Sequence, residues 1–129
     1  MTFKELTVSQ IRDAMKDKSG TSEREMFGGI AFMLEGNMCC GVIDDNLVVR
    51  VGPEAYETVL REPHTRPMDF TGRPLPGFIY VERDGFAHDD RSLRAWIERG
   101  INFVQTLPPK YYPMAWQTWQ PMTQPVAMR

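Results

Sequence analysis

The sequence has few residues of the kinds that carry metal, thiol or acid–base chemistry. Two cysteines and two histidines occur among its 129 residues. The cysteines, Cys39 and Cys40, are adjacent, and such a pair cannot link distant parts of a fold, which excludes a disulfide framework. We expect reduced thiols, as in cytosolic proteins. The two histidines leave little for acid–base catalysis, so we expect no catalytic residue and no cofactor.

Long apolar runs and an excess of positive charge are also missing. No stretch reaches the ~18 apolar residues of a membrane span, and residues 1–6 hold no apolar core of signal-peptide length. We therefore expect a cytoplasmic protein with no membrane partner. Fifteen Lys and Arg against 17 Asp and Glu give a formal net charge of −2, whereas nucleic-acid-binding domains are usually basic. Since Arg24, Arg94, Arg99 and Lys110 form no basic stripe, direct nucleic-acid binding is disfavoured.

The composition is otherwise that of one ordinary globular domain. Hydrophobic residues make up 42% and charged residues 25% of the chain, which fits a soluble folded protein. A chain of this length favours one domain with a core that needs no covalent staple. We find no internal repeat and no linker, and we assign residues 1–110 to the domain and 111–129 to a C-terminal extension.

Three helices are predicted from capping signals and apolar periodicity. Thr7 and Gln10 have the spacing of a capping box, which predicts a first helix over about residues 8–17. A shorter helix is predicted over about 54–61. Asp89 is a favourable N-cap for a last helix, whose apolar residues recur on one face.

Apolar runs separated by Gly, Asn and Asp turns indicate hairpins between these helices. Strands joined by tight turns pair antiparallel, because parallel pairing needs crossovers. The fold class is therefore α+β, a single antiparallel sheet with helices on one face, in the order helix, meander, helix, strands, helix. Strands are predicted at about 24–27, 30–34, 38–43, 47–51 and 78–81, with an extended piece at 66–70 inside the proline-rich stretch 62–77.

A run of Met26, Phe27, Gly28 and Gly29 leads into the first predicted hairpin. The run resembles the opening of the TfoX N-terminal domain family, and the chain is similar to that family over about residues 6–110. Further blocks match in order: Gly36-Asn37-Met38-Cys39, the stretch 44–51, Arg66-Pro67-Met68, the stretch 77–81, and the Trp96 helix that ends before Lys110.

The resemblance implies a curved antiparallel sheet and a regulatory role without carrying over any catalytic residue. Larger family members have a second, helical C-terminal domain linked to the regulation of DNA uptake. The resemblance therefore also implies a link to transcriptional regulation. We expect no such domain here, because residues 111–129 are too few for it. Gly28 and Gly29 are explained by backbone geometry rather than phosphate binding, since no helix follows them.

The adjacent thiols are predicted to point to opposite faces of a strand, because side chains alternate along it. One of Cys39 and Cys40 would then be a core residue and the other would be exposed as a candidate reactive thiol. Two cysteines and two histidines are ligand types that zinc accepts. Thiols on opposite faces are badly placed to share one ion, so we expect no metal site.

Four charged residues form a candidate site for an anionic ligand. Arg50, Arg66 and Arg73 with Asp69 lie on a strand end and in the proline-rich loop, where arginines can bind an anion by charge-assisted hydrogen bonds. An ion-pair network that holds the loop explains the same residues. The first reading predicts a small-ligand binder or small enzyme that uses loop 66–69.

The extension 111–129 is apolar and aromatic rather than charged. Its Tyr111, Tyr112, Trp116 and Trp119 either cover the protein's own surface or dock on a second subunit, since such residues favour interface cores. We therefore favour a non-catalytic protein-interaction or regulatory module. Its partner would be a second copy, giving a homodimer, or another protein, bound through these aromatics and an exposed sheet edge.

Overall fold

A computed structural model describes residues 1–26, 28–69 and 72–110. Three helices and six strands follow one another along these residues. They are α1 (Phe3–Met15), β1 (Thr21–Met26), β2 (Gly29–Leu34), β3 (Asn37–Ile43), β4 (Asn46–Arg50), α2 (Tyr56–Val59), β5 (Thr65–Pro67), β6 (Phe78–Val81) and α3 (Asp90–Val104), with a 3₁₀ turn at Arg83–Gly85 before α3.

The six strands form one antiparallel sheet in the order β1-β2-β3-β4-β6-β5. The first four strands are a meander of neighbouring hairpins. β6 then pairs with β4 on one side and with β5 on the other, so that β5 becomes the edge strand. This arrangement confirms the α+β class and the antiparallel sheet expected from the turns.

The main hydrophobic core lies between one face of the sheet and the helices. The buried apolar side chains of all three helices belong to one cluster, together with every second residue of the central strands. Ile11 of α1 and Ile97 of α3 are completely buried there. A separate, smaller cluster on the opposite face of the sheet, which we call the open face, consists of Ile43, Val48, Met68 and Tyr80.

The first helix begins five residues earlier than the capping signal at Thr7 predicts. The capping box is formed instead by Thr2 and Glu5, whose side chains and backbone amides bond reciprocally. Both threonines match the same short signature, so the signature alone does not choose between them. Thr7 is buried within α1 and its hydroxyl donates to the Phe3 carbonyl oxygen.

Other boundaries differ by a few residues. β1 begins at Thr21 rather than at 24, and the helix expected over 54–61 is a single turn. The extended piece in the proline-rich stretch is β5, shifted one residue toward the N-terminus of the predicted 66–70 and shorter. The last helix has Asp89 as its N-cap, as expected, with the Asp89 carboxylate accepting from the Ser92 amide.

A β-bulge places both cysteines in the helix-side core. Phe32 pairs with Cys40 and Met33 pairs with Met38, so Cys39 is an extra residue in β3. An extra residue breaks the alternation of side chains along a strand. Cys39 and Cys40 are both completely buried and belong to the core cluster beneath the helices. The prediction that they point to opposite faces, one of them exposed, is therefore wrong.

Candidate functional site

A groove crosses the open face of the sheet. We call it the open-face groove; its volume is about 340 Å³. No acidic residue is among the described residues that line it, although the whole chain has a net negative charge. The lining residues are Arg24, Met26, Met33, Gly36, Asn37, Met38, Arg50, Met68, Leu75, Phe78 and Lys110.

Four methionines line this groove, and two of them, Met33 and Met68, are themselves buried. Met33 of β2 and Met38 of β3 are cross-strand partners, so their side chains lie next to each other on the open face. Met26 comes from the end of β1. Met68 follows β5, packs into the open-face cluster and is nearly completely buried. Unbranched thioether side chains adapt to irregular surfaces, which suits a binding face that accepts differently shaped apolar groups.

Arg50 provides a partly buried positive charge at the end of β4. Its guanidinium carbon lies 5.0 Å from the Phe78 ring centroid and 5.5 Å from that of Phe103. One guanidinium nitrogen lies 3.4 Å from the Met38 carbonyl oxygen. Burial lowers the pKa of Arg50, although an arginine stays charged. Among the described residues, no carboxylate forms an ion pair with it, so the charge is held by aromatic faces and one carbonyl.

The β2–β3 turn fixes the last described residues at one end of the groove. The Lys110 amide donates to the Glu35 carbonyl oxygen at 2.7 Å. The Asn37 side chain donates to the Pro108 carbonyl oxygen at 3.0 Å, which accounts for a buried amide. Gly36 has a φ of +82°, and a Cβ there would overlap the Lys110 carbonyl. Position 36 therefore requires glycine for two reasons: the left-handed backbone conformation and the close approach of the Lys110 carbonyl.

The loop around Arg66 and Asp69 forms a separate cluster. Arg66 lies over the Tyr80 ring, 4.4 Å from its centroid, and its guanidinium is 3.2 Å from Glu82 and 3.9 Å from Asp69. Two carboxylates thus share its charge, an arrangement that holds the loop and leaves less for an anionic ligand. Of the four charged residues proposed from the sequence, only Arg50 lines the groove. Arg73 is exposed and forms no ion pair with any described residue.

Met26, Gly28 and Gly29 of the Met-Phe-Gly-Gly run lie where β1 turns into β2. Met26 pairs with Gly29, and Gly28 has a φ of +75°, in the left-handed region that glycine favours. A Cβ on Gly29 would overlap the backbone carbonyl of Val42 on β3. These positions agree with a role in backbone geometry. Phe27 lies outside the described residues.

The thiols are shielded from solvent and close to other sulfur atoms. The Cys40 sulfur lies 4.0 Å from the Met15 sulfur, and contact with the Cys39 thiol together with burial raises the pKa of Cys40. Reactive thiols need accessible, stabilised thiolates, so this setting disfavours reactivity. Within residues 1–26, 28–69 and 72–110, no three His, Cys, Asp or Glu side chains are grouped to hold a metal ion.

Three other cavities have less distinctive chemistry, and one of them lies beside Lys4 and Glu25 at the β1–β2 hairpin. The cavity between α1 and β1 is crossed by the ion pair of Arg12 and Glu23, whose atoms approach to 2.6 Å. Another lies beside Val104 near the end of α3. Each of them has at least one acidic side chain among its described lining residues, whereas the open-face groove has none, so the open-face groove is the candidate site.

Sequence reasoning identified Arg50 but missed most of this groove. The rejected basic stripe does contain two residues, Arg24 and Lys110, that the fold brings to the same groove. Alternation along β2 was the available signal for Met33. In β3 the bulge at Cys39 breaks the alternation, so the sequence pattern places Met38 on the helix side with Cys40 and gives no signal for its true face. Tyr111, Tyr112, Trp116 and Trp119 lie outside the described residues. In the part of the chain that is described, no helix has the length and apolarity needed to cross a membrane.

Comparison with known proteins gives a family. A search among curated proteins found no match to this sequence. A family model described as the TfoX N-terminal domain matches residues 13–104. This range runs from α1 to the end of α3 and includes all six strands. It covers most of the chain, and it contains every block on which the sequence resemblance depends except the last residues before Lys110. The chain belongs to the TfoX N-terminal domain family.

Proposed function

We propose that this protein is a non-catalytic interaction module that binds a segment of another protein in the open-face groove. The segment would present apolar side chains to the methionines and a carboxylate to Arg50. The observation that carries the proposal is the combination of four methionines with Arg24 and Arg50 in a groove that has no acidic side chain among its described lining residues. The regulatory role that the family suggests would be exerted through this binding.

The apolar part of the groove supports a protein rather than a small metabolite as the ligand. Methionine, arginine and aromatic residues are enriched in protein–protein interfaces, whereas lysine and acidic residues are depleted. Leu75 is one of three large hydrophobic residues that are strongly exposed among those described. It is one of the residues that line the groove. An apolar partner side chain that covered Leu75 would remove this surface from water.

The charge of the groove supports a carboxylate on the partner. The Arg50 guanidinium is partly desolvated and has no described carboxylate as a partner. Charge-assisted hydrogen bonds to a carboxylate are about twice as strong as neutral ones. An incoming Asp, Glu or C-terminal carboxylate would therefore gain more from Arg50 than from Arg66, whose charge is shared by Glu82 and Asp69.

The sheet edge is a poorer candidate for self-association. β1 carries Glu23, Arg24 and Glu25 in its centre. Antiparallel self-pairing centred on Arg24 would face Arg24 with Arg24 and Glu23 with Glu25, and like charges opposite each other are destabilising. Charged edge strands are a common protection against such pairing. A homodimer built on this edge is therefore disfavoured, and the open face is the preferred surface.

Site-specific photo-cross-linking in cells that express the protein tests this proposal. A photoreactive residue at Leu75 reports on the groove, and one at Leu6 on α1 is the matched control, because both positions are 46% exposed. We expect a cross-linked protein adduct from position 75 and none from position 6. Arg50→Met should reduce the yield at position 75, with the folded circular dichroism spectrum retained.

Three outcomes would contradict the proposal. Equal cross-linking from both positions would mean non-specific contact. A yield that does not change with Arg50→Met would remove the role of the charge. An adduct of twice the chain's mass would identify a second copy of this chain as the partner instead of another protein.

A further inference from the structure

We propose that the segment 111–129 folds back over the open-face groove of its own chain and places Trp116 and Trp119 against the groove methionines. In the absence of a partner, this segment would be the occupant of the groove. The inference builds on the groove as the binding surface proposed above, and it adds the identity of an internal ligand.

The last described residue, Lys110, lies at the groove, which favours the groove as the surface that the following segment covers. Lys110 lines the groove, and its backbone is fixed by the Glu35 carbonyl and by the close passage over Gly36. The Asn37 bond to Pro108 holds the preceding residues in the same place. The described chain therefore ends at the groove itself, so the following residues would need little search to reach it.

The length of the segment is sufficient to cover the whole open face. Nineteen residues follow Lys110, and an extended chain advances about 3.3 Å per residue, which gives a reach of roughly 60 Å. Six strands spaced about 4.8 Å apart span only about 24 Å. The segment can reach the far strands and still form turns at its prolines.

The chemistry of the segment matches that of the groove. It contains two tryptophans, two tyrosines and three methionines, and it has no acidic side chain. Sulfur–aromatic contacts between methionine and an aromatic ring are favourable. The cations Arg24, Arg50 and Lys110 can lie over aromatic faces, as Arg50 already does with Phe78. Aromatic rings therefore complement both the apolar floor and the positive rim.

Methyl NMR of the full chain tests the inference, with ¹³C-labelled methionine methyl groups as probes. Met26, Met33, Met38 and Met68 line the groove, whereas Met15 lies in the helix-side core and is the internal control. We expect the four groove methyl resonances to shift in the double variant Trp116→Ala/Trp119→Ala, because the ring currents of the indoles are lost. The Met15 resonance should keep its position, which also shows that the variant is folded.

Unchanged groove resonances in the double variant would overturn the inference. A mixed sample distinguishes contact within one chain from contact between two chains. In this sample, one population of chains carries labelled methionine methyl groups and the other carries protonated tryptophans. Magnetisation transfer between chains that rises with concentration would assign the segment to a second copy and would also overturn it. The proposed function has its own readout: a cross-link from position 75 to another protein supports that function even if the tail substitution leaves the methyl groups unchanged.

Discussion

Gly100 of α3 lies directly over the backbone carbonyl oxygen of Cys39 in β3. A Cβ at Gly100 would stand 2.6 Å from that oxygen and 3.2 Å from the Cys39 sulfur. The bulge residue Cys39 thus packs against Gly100, the single glycine of α3, which has no side chain to block the contact. The close approach of α3 to the sheet depends on both features together.

We expect Gly100→Ala to destabilise the protein. Alanine favours a helix over glycine by about 1 kcal/mol, but overpacking a core costs about 1–3 kcal/mol, and the contact here is with backbone that cannot rotate away. The free energy of unfolding from urea denaturation measures the balance. Glu98→Ala on the exposed side of α3 is the control and should stay within about 0.5 kcal/mol of the parent protein. A variant at Gly100 as stable as the parent would refute the close packing.

The two glycines of the Met-Phe-Gly-Gly hairpin should respond differently to alanine. Gly28 has a positive φ but open space around it, so Gly28→Ala should cost about 1–2 kcal/mol from the left-handed backbone alone. Gly29→Ala should cost more, because its Cβ would overlap the Val42 carbonyl oxygen and disturb the β2–β3 pairing. Thermal and urea unfolding of both variants give the comparison. Equal losses would show that β3 is not as close to Gly29 as described.

Both thiols should react slowly with a water-soluble disulfide reagent in the native protein. Cys39 and Cys40 are completely buried, and burial together with the neighbouring thiol raises the pKa of Cys40. The reactive thiolate of Cys40 is therefore scarce at neutral pH, and burial shields Cys39 from the reagent. We expect two equivalents of reagent to be consumed only after denaturation. Rapid native labelling of one thiol would restore the reactive-thiol interpretation.

Stability should fall at acid pH through the N-cap of α3. The Ser92 amide donates to the Asp89 carboxylate and lowers the pKa of Asp89 from its ordinary value of 3.8. A carboxylate with a lowered pKa in the folded state stabilises the protein fully above its unfolded pKa, and this contribution is lost as the pH falls through the lowered value.

Urea unfolding from neutral pH down to about pH 2 measures this dependence. Asp89→Asn keeps a capping oxygen but does not titrate, so its unfolding free energy should fall less steeply below pH 3.8. Some slope should remain, because hydrogen bonding to Lys16 also lowers the pKa of Asp13. The same slope in both proteins would exclude Asp89 as a contributor.

The meander and the last helix were predictable because their signals are local. Turn residues at 35–37 and 44–46 separate short apolar runs, and the structure has a hairpin at each. Asp89 caps α3 as expected, since a cap depends on residues only a few positions apart. The start of α1 was not predictable, because Thr2 and Thr7 carry equivalent capping signals and only packing decides between them.

Most of the candidate site could not be predicted from the sequence, because it depends on contacts between residues that are far apart in the chain. The bulge at Cys39 changes the face on which later residues of β3 lie, and it is visible only through pairing with β2. Arg24, Arg50 and Lys110 are far apart in the chain and meet only because β1, β4 and the end of the domain border one groove. The pairing of Arg66 with Glu82 likewise requires β5 to lie beside β6.

The order of the elements has a consequence for synthesis on the ribosome. The four-strand meander is complete at Arg50, but α3, which covers the centre of the sheet, begins only at Asp90. Until then, residues such as Leu47 and Val49 lack the cover of α3, and only α1 and the single turn of α2 pack on this face. The nascent chain thus passes through a stage with an exposed apolar sheet face, when aggregation is most favoured. The charged centre of β1 then protects the open edge of the sheet from pairing with a neighbouring nascent chain.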